Sequence, residues 1–409
     1  MVGWHPLSRV GGRGLKILWV KTDFLHPTTR GGQIRTLETV KRLHQKHEVH
    51  YIAFEDLEQA EGPRRASEYS TKHYAIPHSA PEKSLTSPAF VGQLLAGWIS
   101  PLPVAINRWR SVAMKREIEQ LQRTEQFDAV VCDFLFPAPN IPDLSGAVIF
   151  QHNVEAMIWQ RHAEQAGNFV KKAYFRLQAQ RMAKFEGEAC RKAKRVIAVS
   201  HADAEMMRSD YGVQDISAVP TGVDLNYFKH PGVGTVKAKA DLVFVGSMDW
   251  MPNSEGIRWF VRDVFPLILK KRPGTTFAIV GRKPPADIDA MTNERIQVTG
   301  TVPDVRPYLW GGKVSVVPLR IGGGTRLKIY EAMAASVPVV STKIGAEGLE
   351  IEDGASIAIA NDAAAFAGRC VDLLNDPAAC QRMARRALEI VGERYSWESV
   401  TTQFERLLG

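Results

Sequence analysis

PLRIGGGTRLKIYEAMAASVPVVST, residues 318 to 342, reads as strand, glycine-rich turn, helix and strand in quick succession. VSVVPL at 314 to 319 is an apolar run too short for a helix, and Gly322, Gly323 and Gly324 end it. A helix is expected from Thr325, and VPVVST at 337 to 342 begins the next apolar run. Parallel strands joined through a helix have this order. A glycine-rich turn that opens a helix presents free backbone N–H groups and the positive end of the helix dipole, which suits a phosphate. Arg326 and Lys328 fall in the first turn, where cations oppose the dipole, and a doubly charged diphosphate would balance them. Lys328 and Glu331 are three residues apart and share a helix face, and a carboxylate at 331 can accept hydrogen bonds from both hydroxyls of a ribose. On this stretch alone, a glycine-rich turn with an exposed Lys–Glu pair is the alternative.

The same alternation extends in both directions. DLVFVGS at 241 to 247, TTFAIVG at 275 to 281 and IQVTG at 296 to 300 are further strands, with a helix beginning near Asn253. In the first half, LKILWV at 15 to 20, EVHYIAF at 48 to 54, AVVCDF at 129 to 134, AVIFQ at 147 to 151 and RVIAVS at 195 to 200 play the same part. Between them lie helical patterns, among them Ile34, Leu37, Val40 and Leu43 and a long basic helix around 168 to 193. Two α/β units therefore stand in series, which 409 residues comfortably allow. VPTGVDLNYFKHPGVGTVKAKA has the composition of a linker and places the boundary near 219 to 238. The expected division is 1–225, 226–390 and a helix over 391–409 that returns to the first domain, with Ser396 as its N-cap.

Hydrophobic residues make up 45% and charged residues 23%, the usage of an ordinary globular chain, which excludes disordered, collagen-like and coiled-coil classes. A net charge of +8 favours anionic partners. No nucleic-acid module or interleaved aromatic pattern accompanies it, so nucleic acid is not expected as a partner. Basic residues from Lys171 to Arg195 read as a solvated helix face or as a patch for a membrane or anionic acceptor. Cys132, Cys190, Cys370 and Cys380 show neither metal-ligand spacing nor a disulfide framework, and reduced thiols in a cytoplasmic protein are expected. No signal-like segment or spanning helix is predicted. SLTSPAFVGQLLAGWISPLPVAI, 84 to 106, is apolar but broken by prolines, and reads as a buried loop and helix or as a membrane- or acceptor-touching element.

Several segments in fixed order accompany the glycine-rich stretch: RGGQIRT, QHNVE, VIAVSHADAEMM, PTGVDLNYF, FVGSMDWMPNSEGIRWF and TGTVPDVRPYL. This set, spanning almost the whole chain, resembles glycosyltransferase family 4, retaining enzymes of the GT-B fold. It is most similar to sugar transferases of exopolysaccharide and exosortase-associated clusters. The resemblance implies two Rossmann-like, doubly wound parallel-sheet domains facing across a cleft. It further implies a hexosyltransferase-type enzyme that takes a UDP- or GDP-sugar as co-substrate, with no cofactor and no metal. The acceptor would be a saccharide or lipid-linked saccharide, at a cytoplasmic site that extends to the inner membrane face.

The resemblance gives Gly31 and Gly32 to the donor phosphate and sugar, His152 to the transferred sugar and Glu331 to the ribose. The family's first glutamate falls at Gly323, so backbone N–H groups of Gly323, Gly324 and Thr325 are expected to serve the donor. Ser247, Pro252 and Asn253 stand near the place of the family's diphosphate-binding cations, a role that passes to Arg326 and Lys328. The nucleobase region is expected around Gly246, Gly281, Arg282, Thr301 and Val302. Asn153 and Glu155 are weaker candidates, and His201 is expected to cap or pack an element end. A nucleotide-sugar epimerase of the same fold and a non-catalytic nucleotide-sugar-binding assembly protein are the alternatives.

Overall fold

KILWV and AVVCD lack the polar alternation of a half-exposed strand, and both are buried along almost their whole length. The computed structural model describes residues 14–28, 31–55, 61–78, 92, 97–232, 240–321 and 327–409. The chain divides into one unit of Met1–Val219 with Thr401–Gly409 and a second of Pro220–Val400.

The first unit holds strands β1 (Lys16–Val20), β2 (Glu48–Glu55), β3 (Lys72–Pro77), β4 (Ala129–Asp133), β5 (Ala147–Phe150), β6 (Arg195–Ala198) and β7 (Ile216–Ala218). Their order is β3-β2-β1-β4-β5-β6-β7, parallel throughout. Its principal helices are α1 (Gly31–His44), α2 (Val112–Thr124), α3 (Glu155–Gln165), α4 (Phe169–Lys192) and α5 (His201–Tyr211). The second unit holds β8 (Ala240–Val245), β9 (Phe277–Val280), β10 (Ile296–Val298), β11 (Gly312–Val317), β12 (Val339–Ser341) and β13 (Ala358–Ile359). Their order is β10-β9-β8-β11-β12-β13, again parallel. Helices α6 (Met251–Trp259), α7 (Phe265–Lys271), α8 (Leu327–Ala334), α9 (Ala363–Asn375), α10 (Pro377–Arg394) and α11 (Trp397–Arg406) follow. Each sheet reverses its strand order once, between β1 and β4 and between β8 and β11, and crevices at strand C-termini open at such points.

Two sequence expectations need correction. Helix α1 buries Arg35, Thr36, Thr39, Val40 and Leu43, while Ile34 is exposed, so its inward face is rotated from the apolar stripe toward polar residues. At the start of α5 the cap is Ser200, whose Oγ accepts from the Asp203 backbone N–H, and His201 is an exposed first-turn residue. Ser396 Oγ accepts from Ser399 N at the head of α11. Phe404, at the end of that helix, packs on Trp19 and Phe150 in the first unit's core. Of the apolar 84–106 segment, 84–91 and 93–96 lie outside the described residues; Ile106 is buried and Ile99 is 84% exposed. All four cysteines are free thiols. Among the described residues no helix is long and apolar enough to cross a membrane.

A buried carboxylate sets the approach of α3. Glu186, within α4, accepts from the backbone N–H groups of Glu155 and Ala156, from Gln151 Nε2 and from the Tyr211 hydroxyl at 2.9 to 3.1 Å. It thereby caps a helix whose own N-cap position, Val154, supplies no side-chain bond. Glu155 is buried beside it, and desolvation followed by repulsion from Glu186 pushes its carboxyl up to about 7. A raised folded-state pKa stabilises the protein fully below the unfolded value and loses that contribution as pH rises through about 7. Glu155→Gln should therefore match the wild type near pH 4, below the ordinary value of 4.5. At pH 8 it should be more stable, by up to about 3 kcal/mol at 1.36 kcal/mol per unit. Urea unfolding at the two pH values measures this, and equal differences at both would refute it.

Candidate active site

Strands β1, β4 and β5 end side by side in the first unit, and the residues that follow are polar. Lys21 follows β1, Asp133 closes β4 and His152 stands two residues beyond β5; all three are at least 95% buried. Asp133 Oδ1 accepts from His152 Nε2 at 2.7 Å and lies 3.1 Å from Lys21 Nζ. Its Oδ2 accepts from Trp19 Nε1 at 2.8 Å and Thr36 Oγ1 at 2.7 Å. Burial alone would raise this carboxyl. The Lys21 charge, His152 and the Thr36 hydroxyl outweigh burial and hold it below the ordinary carboxylate range.

An ionised carboxylate can only accept, so the proton of the Asp133–His152 bond sits on Nε2. Burial pushes the imidazole down to about 3 even though Asp133 pulls it upward, and the charges of Arg35 and Lys21 add to the lowering. His152 is thus neutral, and its pairing with Asp133 is a hydrogen bond between imidazole and carboxylate. Nδ1 is left as an acceptor, buried and without a hydrogen-bond partner among the described residues. The imidazole stacks on Phe134 at 3.8 Å and 8°. Phe134 has φ +66°, a strained conformation for a non-glycine residue, and its ring also lies 4.4 Å from the Lys21 ammonium.

Gly32, in the first turn of α1, completes this pocket. A Cβ there would fall 2.8 Å from Phe134 Cζ and 3.6 Å from His152 Nδ1, so glycine is what lets the helix N-terminus approach the imidazole. Gly31 lacks such a neighbour, and a Cβ there would meet open space. Arg35, on the same helix, donates to the Gln151 carbonyl at 2.9 Å and to the Val219 carbonyl, and its guanidinium lies over Phe150. It fixes the backbone from which His152 projects. Asn153 is a hydrogen-bond partner of Glu155, beside the Glu186 cap.

The second unit gathers a different set where β8 and β11 part. Lys328, in the first turn of α8, donates to Asn253 Oδ1, and its ammonium lies 4.6 Å from the Phe244 ring and 5.8 Å from the Trp250 ring. Asn253 in turn donates to the Ser247 carbonyl at 2.7 Å. A Cβ on Gly246 would come within 2.8 Å of both Lys328 Nζ and Asn253 Nδ2, and one on Gly281 would collide with the Gly246 carbonyl at 1.8 Å. The two glycines are required by close packing of strand ends around a cation. Arg282 donates to Ser247 Oγ at 2.6 Å and pairs with Asp249 at 3.4 Å. Glu331 follows Lys328 by one helical turn. Burial pushes its carboxyl up, and Lys328 partly offsets this. Thr301 is exposed, and Val302 packs against the core cluster that includes Val280, Ile329 and Tyr330.

The structure thus brings Gly32 and His152 together in one unit and Gly246, Gly281, Lys328 and Asn253 together in the other. Gly323, Gly324, Thr325 and Arg326 lie outside the described residues. Lys21, Asp133, Thr36, Arg35 and Phe134 were not expected from sequence. The signal for Lys21 and Asp133 was present, since each is a charged residue that terminates an apolar run. Among the described residues, Glu48, His50 and Glu125 have ligand spacing for a metal ion. They stand at the opposite strand ends, where Lys16 pairs with both carboxylates and Lys72 with Glu125, so ammonium groups already balance that charge.

Residues 239–376 match the family described as glycosyl transferases group 1, and residues 29–227 match Glycosyltransferase Family 4. An uncharacterised 44.6 kDa protein of the cps region of Klebsiella pneumoniae is 21% identical over 400 residues, 94% of this chain and 97% of that one. A glycogen synthase of Mycobacterium tuberculosis is 26% identical over 201 residues, 47% of each chain. Among solved structures, Anabaena HepE in complex with UDP and glucose superposes with a TM-score of 0.63 at 14% identity, covering 96% of this chain and 99% of that one. WaaG, a glycosyltransferase involved in lipopolysaccharide biosynthesis, gives the same TM-score, identity and coverage. These likenesses carry the GT-B fold. With a family match in each of its two parallel-sheet units, the chain belongs to the group 1 glycosyltransferases, with a family 4 N-terminal portion.

Proposed function

We propose that this enzyme transfers a sugar from a nucleotide-diphosphate donor to a saccharide or lipid-linked saccharide during synthesis of a cell-surface polysaccharide, with retention of configuration. The observation that carries this reading is the gathering of a cation, an amide and two close-packed glycines around the first turn of α8. A diphosphate there meets the Lys328 charge and the positive helix end, which offset the charge that grows on the leaving group. Glu331, one turn on, offers acceptors for ribose hydroxyls. His152 Nδ1, beside Gly32, offers an acceptor to a sugar hydroxyl. In the transfer, the bond from the anomeric carbon to the phosphate oxygen breaks and the bond to the acceptor oxygen forms on the same face. The acceptor proton leaves with the diphosphate. This assigns no step to a metal ion or a protein nucleophile. Solved complexes of Anabaena HepE with UDP and UDP-glucose favour a uridine donor for testing first.

A panel of UDP- and GDP-sugars tested by thermal shift should yield one donor that raises the melting temperature, because it binds only the folded chain. For that donor, Lys328→Ala should weaken binding by roughly 10- to 100-fold in calorimetric titration, or about 1.4–2.8 kcal/mol. Unchanged affinity would remove Lys328 from the diphosphate site. Gly32→Ala should keep the fold and reduce turnover at least tenfold, since its methyl group must displace Phe134 from beneath His152; full activity would show that this contact is not needed.

We further propose that the acceptor is met at an anionic bilayer on the cytoplasmic side. Phe169 and Val170, at the head of α4, are exposed, as are Trp98 and Ile99. The 97–99 turn is tied to α4 through bonds from Gln178 and Arg181 to the Gly97 carbonyl and from Arg181 to that of Trp98, and Trp98 packs on Tyr174. Val170, Tyr174 and Arg181 share one helix stripe. Lys171 and Lys184 flank it, Lys172 and Arg176 lie on the opposite face near Phe169, and of the helix's two acids Glu186 is buried. Basic side chains around aromatic and aliphatic groups fit an anionic lipid surface. Vesicles containing phosphatidylglycerol should sediment the enzyme while neutral phosphatidylcholine vesicles should not, and Phe169→Ser with Val170→Ser should lower the bound fraction several-fold. Equal recovery of wild type and double variant would exclude this surface.

A further inference from the structure

Lys21 belongs to no segment that the family resemblance singles out, yet it is among the largest fully buried side chains of the protein. Its ammonium has two neighbours of note, the Asp133 carboxylate at 3.1 Å and the Phe134 ring at 4.4 Å, and it makes no hydrogen bond of good geometry among the described residues. A buried ammonium is costly, and truncation to an apolar group would relieve that cost unless the charge has a use. His152 shares Asp133 Oδ1 with it.

We propose that Lys21 is a positioning residue that, acting through Asp133, keeps His152 neutral with its proton on Nε2, so that Nδ1 remains an acceptor beside Gly32. Asp133 from β4 supplies one negative charge and Lys21 from β1 supplies one positive charge, so the pair is neutral. Arg35 from α1 adds a further cation, and Glu155 from α3 is held beside Glu186 and hydrogen-bonded to Asn153. A proton on Nδ1 would add a positive charge beside a carboxylate that Lys21 already balances, next to Arg35, which itself faces Asp133 and Asp203. Without Lys21, the unpaired carboxylate would draw that proton, and Nδ1 would become a donor. Trp19, Thr36 and His152 would still bind Asp133, so the ring would stay in place while its hydrogen-bonding sense changed. A hydroxyl that donates to Nδ1 in the wild type would then meet an N–H.

The role of the ring in donor binding rests on the proposed glycosyl transfer, whereas its protonation does not. Nitrogen-15 NMR of histidine-labelled full-length protein reads the imidazole directly, without substrate, with His152→Gln identifying the resonance. In the wild type, His152 should carry one proton, on Nε2, from pH 5.5 to 8. In Lys21→Met it should titrate within that range, at least one pH unit above any titration in the wild type, and Lys21→Arg should restore the neutral ring. Donor affinity should be flat over this range in the wild type and fall at least tenfold from pH 8 to 5.5 in Lys21→Met. A doubly protonated wild-type ring at pH 7, or the same titration in Lys21→Met as in wild type, overturns the proposal. The wild-type measurement decides even where Lys21→Met does not fold. A donor that binds without regard to the titrated state of the Lys21→Met ring defeats the role of Nδ1 while leaving the charge balance standing. Absence of donor binding in the wild type defeats the glycosyl-transfer reading alone.

Discussion

The Asp133 carboxylate is the interaction on which the first unit's site depends. It is fully buried, and a buried charge persists only where partners replace its lost hydration. Trp19 and Lys21 come from the first strand and its end, Thr36 from the first helix and His152 from the end of the fifth strand. One carboxylate therefore fixes the relative placement of β1, β4, β5 and α1 at the point where the sheet reverses its order. Its partners also fix the chemistry: Trp19, Thr36 and His152 each donate to it, so the imidazole must turn its remaining nitrogen away.

Glu186 is the instructive contrast. It too is buried, and it accepts four hydrogen bonds, one more than Asp133 receives from its neutral partners. Yet burial leaves its carboxyl raised, whereas that of Asp133 is lowered. The difference is a cation: Lys21 stands 3.1 Å from Asp133, while Glu186 lies beside a second buried carboxyl, that of Glu155. Neutral donors satisfy lone pairs, but a compensating charge is what keeps a buried acid ionised. The first arrangement suits a helix cap, which works with either protonation state. The second suits a group whose state must not change.

The strands of both sheets were legible in the sequence wherever burial on both faces made a continuous apolar run, as in LKILWV or TTFAIVG. Lys72–Pro77, Ile216–Ala218 and Ala358–Ile359 escaped notice because edge strands are short and half exposed, with no run to see. The inward face of α1 was misread for a related reason. Apolar spacing chooses the stripe with most hydrocarbon, but Arg35 and Thr36 are inside because Gln151, Val219 and Asp133 receive their hydrogen bonds. Those acceptors are more than ninety residues away along the chain. The same holds for the site. His152 and the glycines stand in recognisable local segments, while the partners that give His152 its protonation state are single residues whose meaning appears only once distant strands are paired.

The two units hold their cations by different means. At the second reversal point Lys328 donates to the Asn253 amide oxygen and lies over the Phe244 and Trp250 rings. Glu331 stands one turn along the same helix, with its carboxyl raised by burial and partly lowered again by Lys328. In the first unit the cation faces the Asp133 carboxylate, and His152 Nδ1 is left as an acceptor. A charge attracts an anion over a long range, whereas a neutral acceptor selects by hydrogen-bond direction, which acts only at contact.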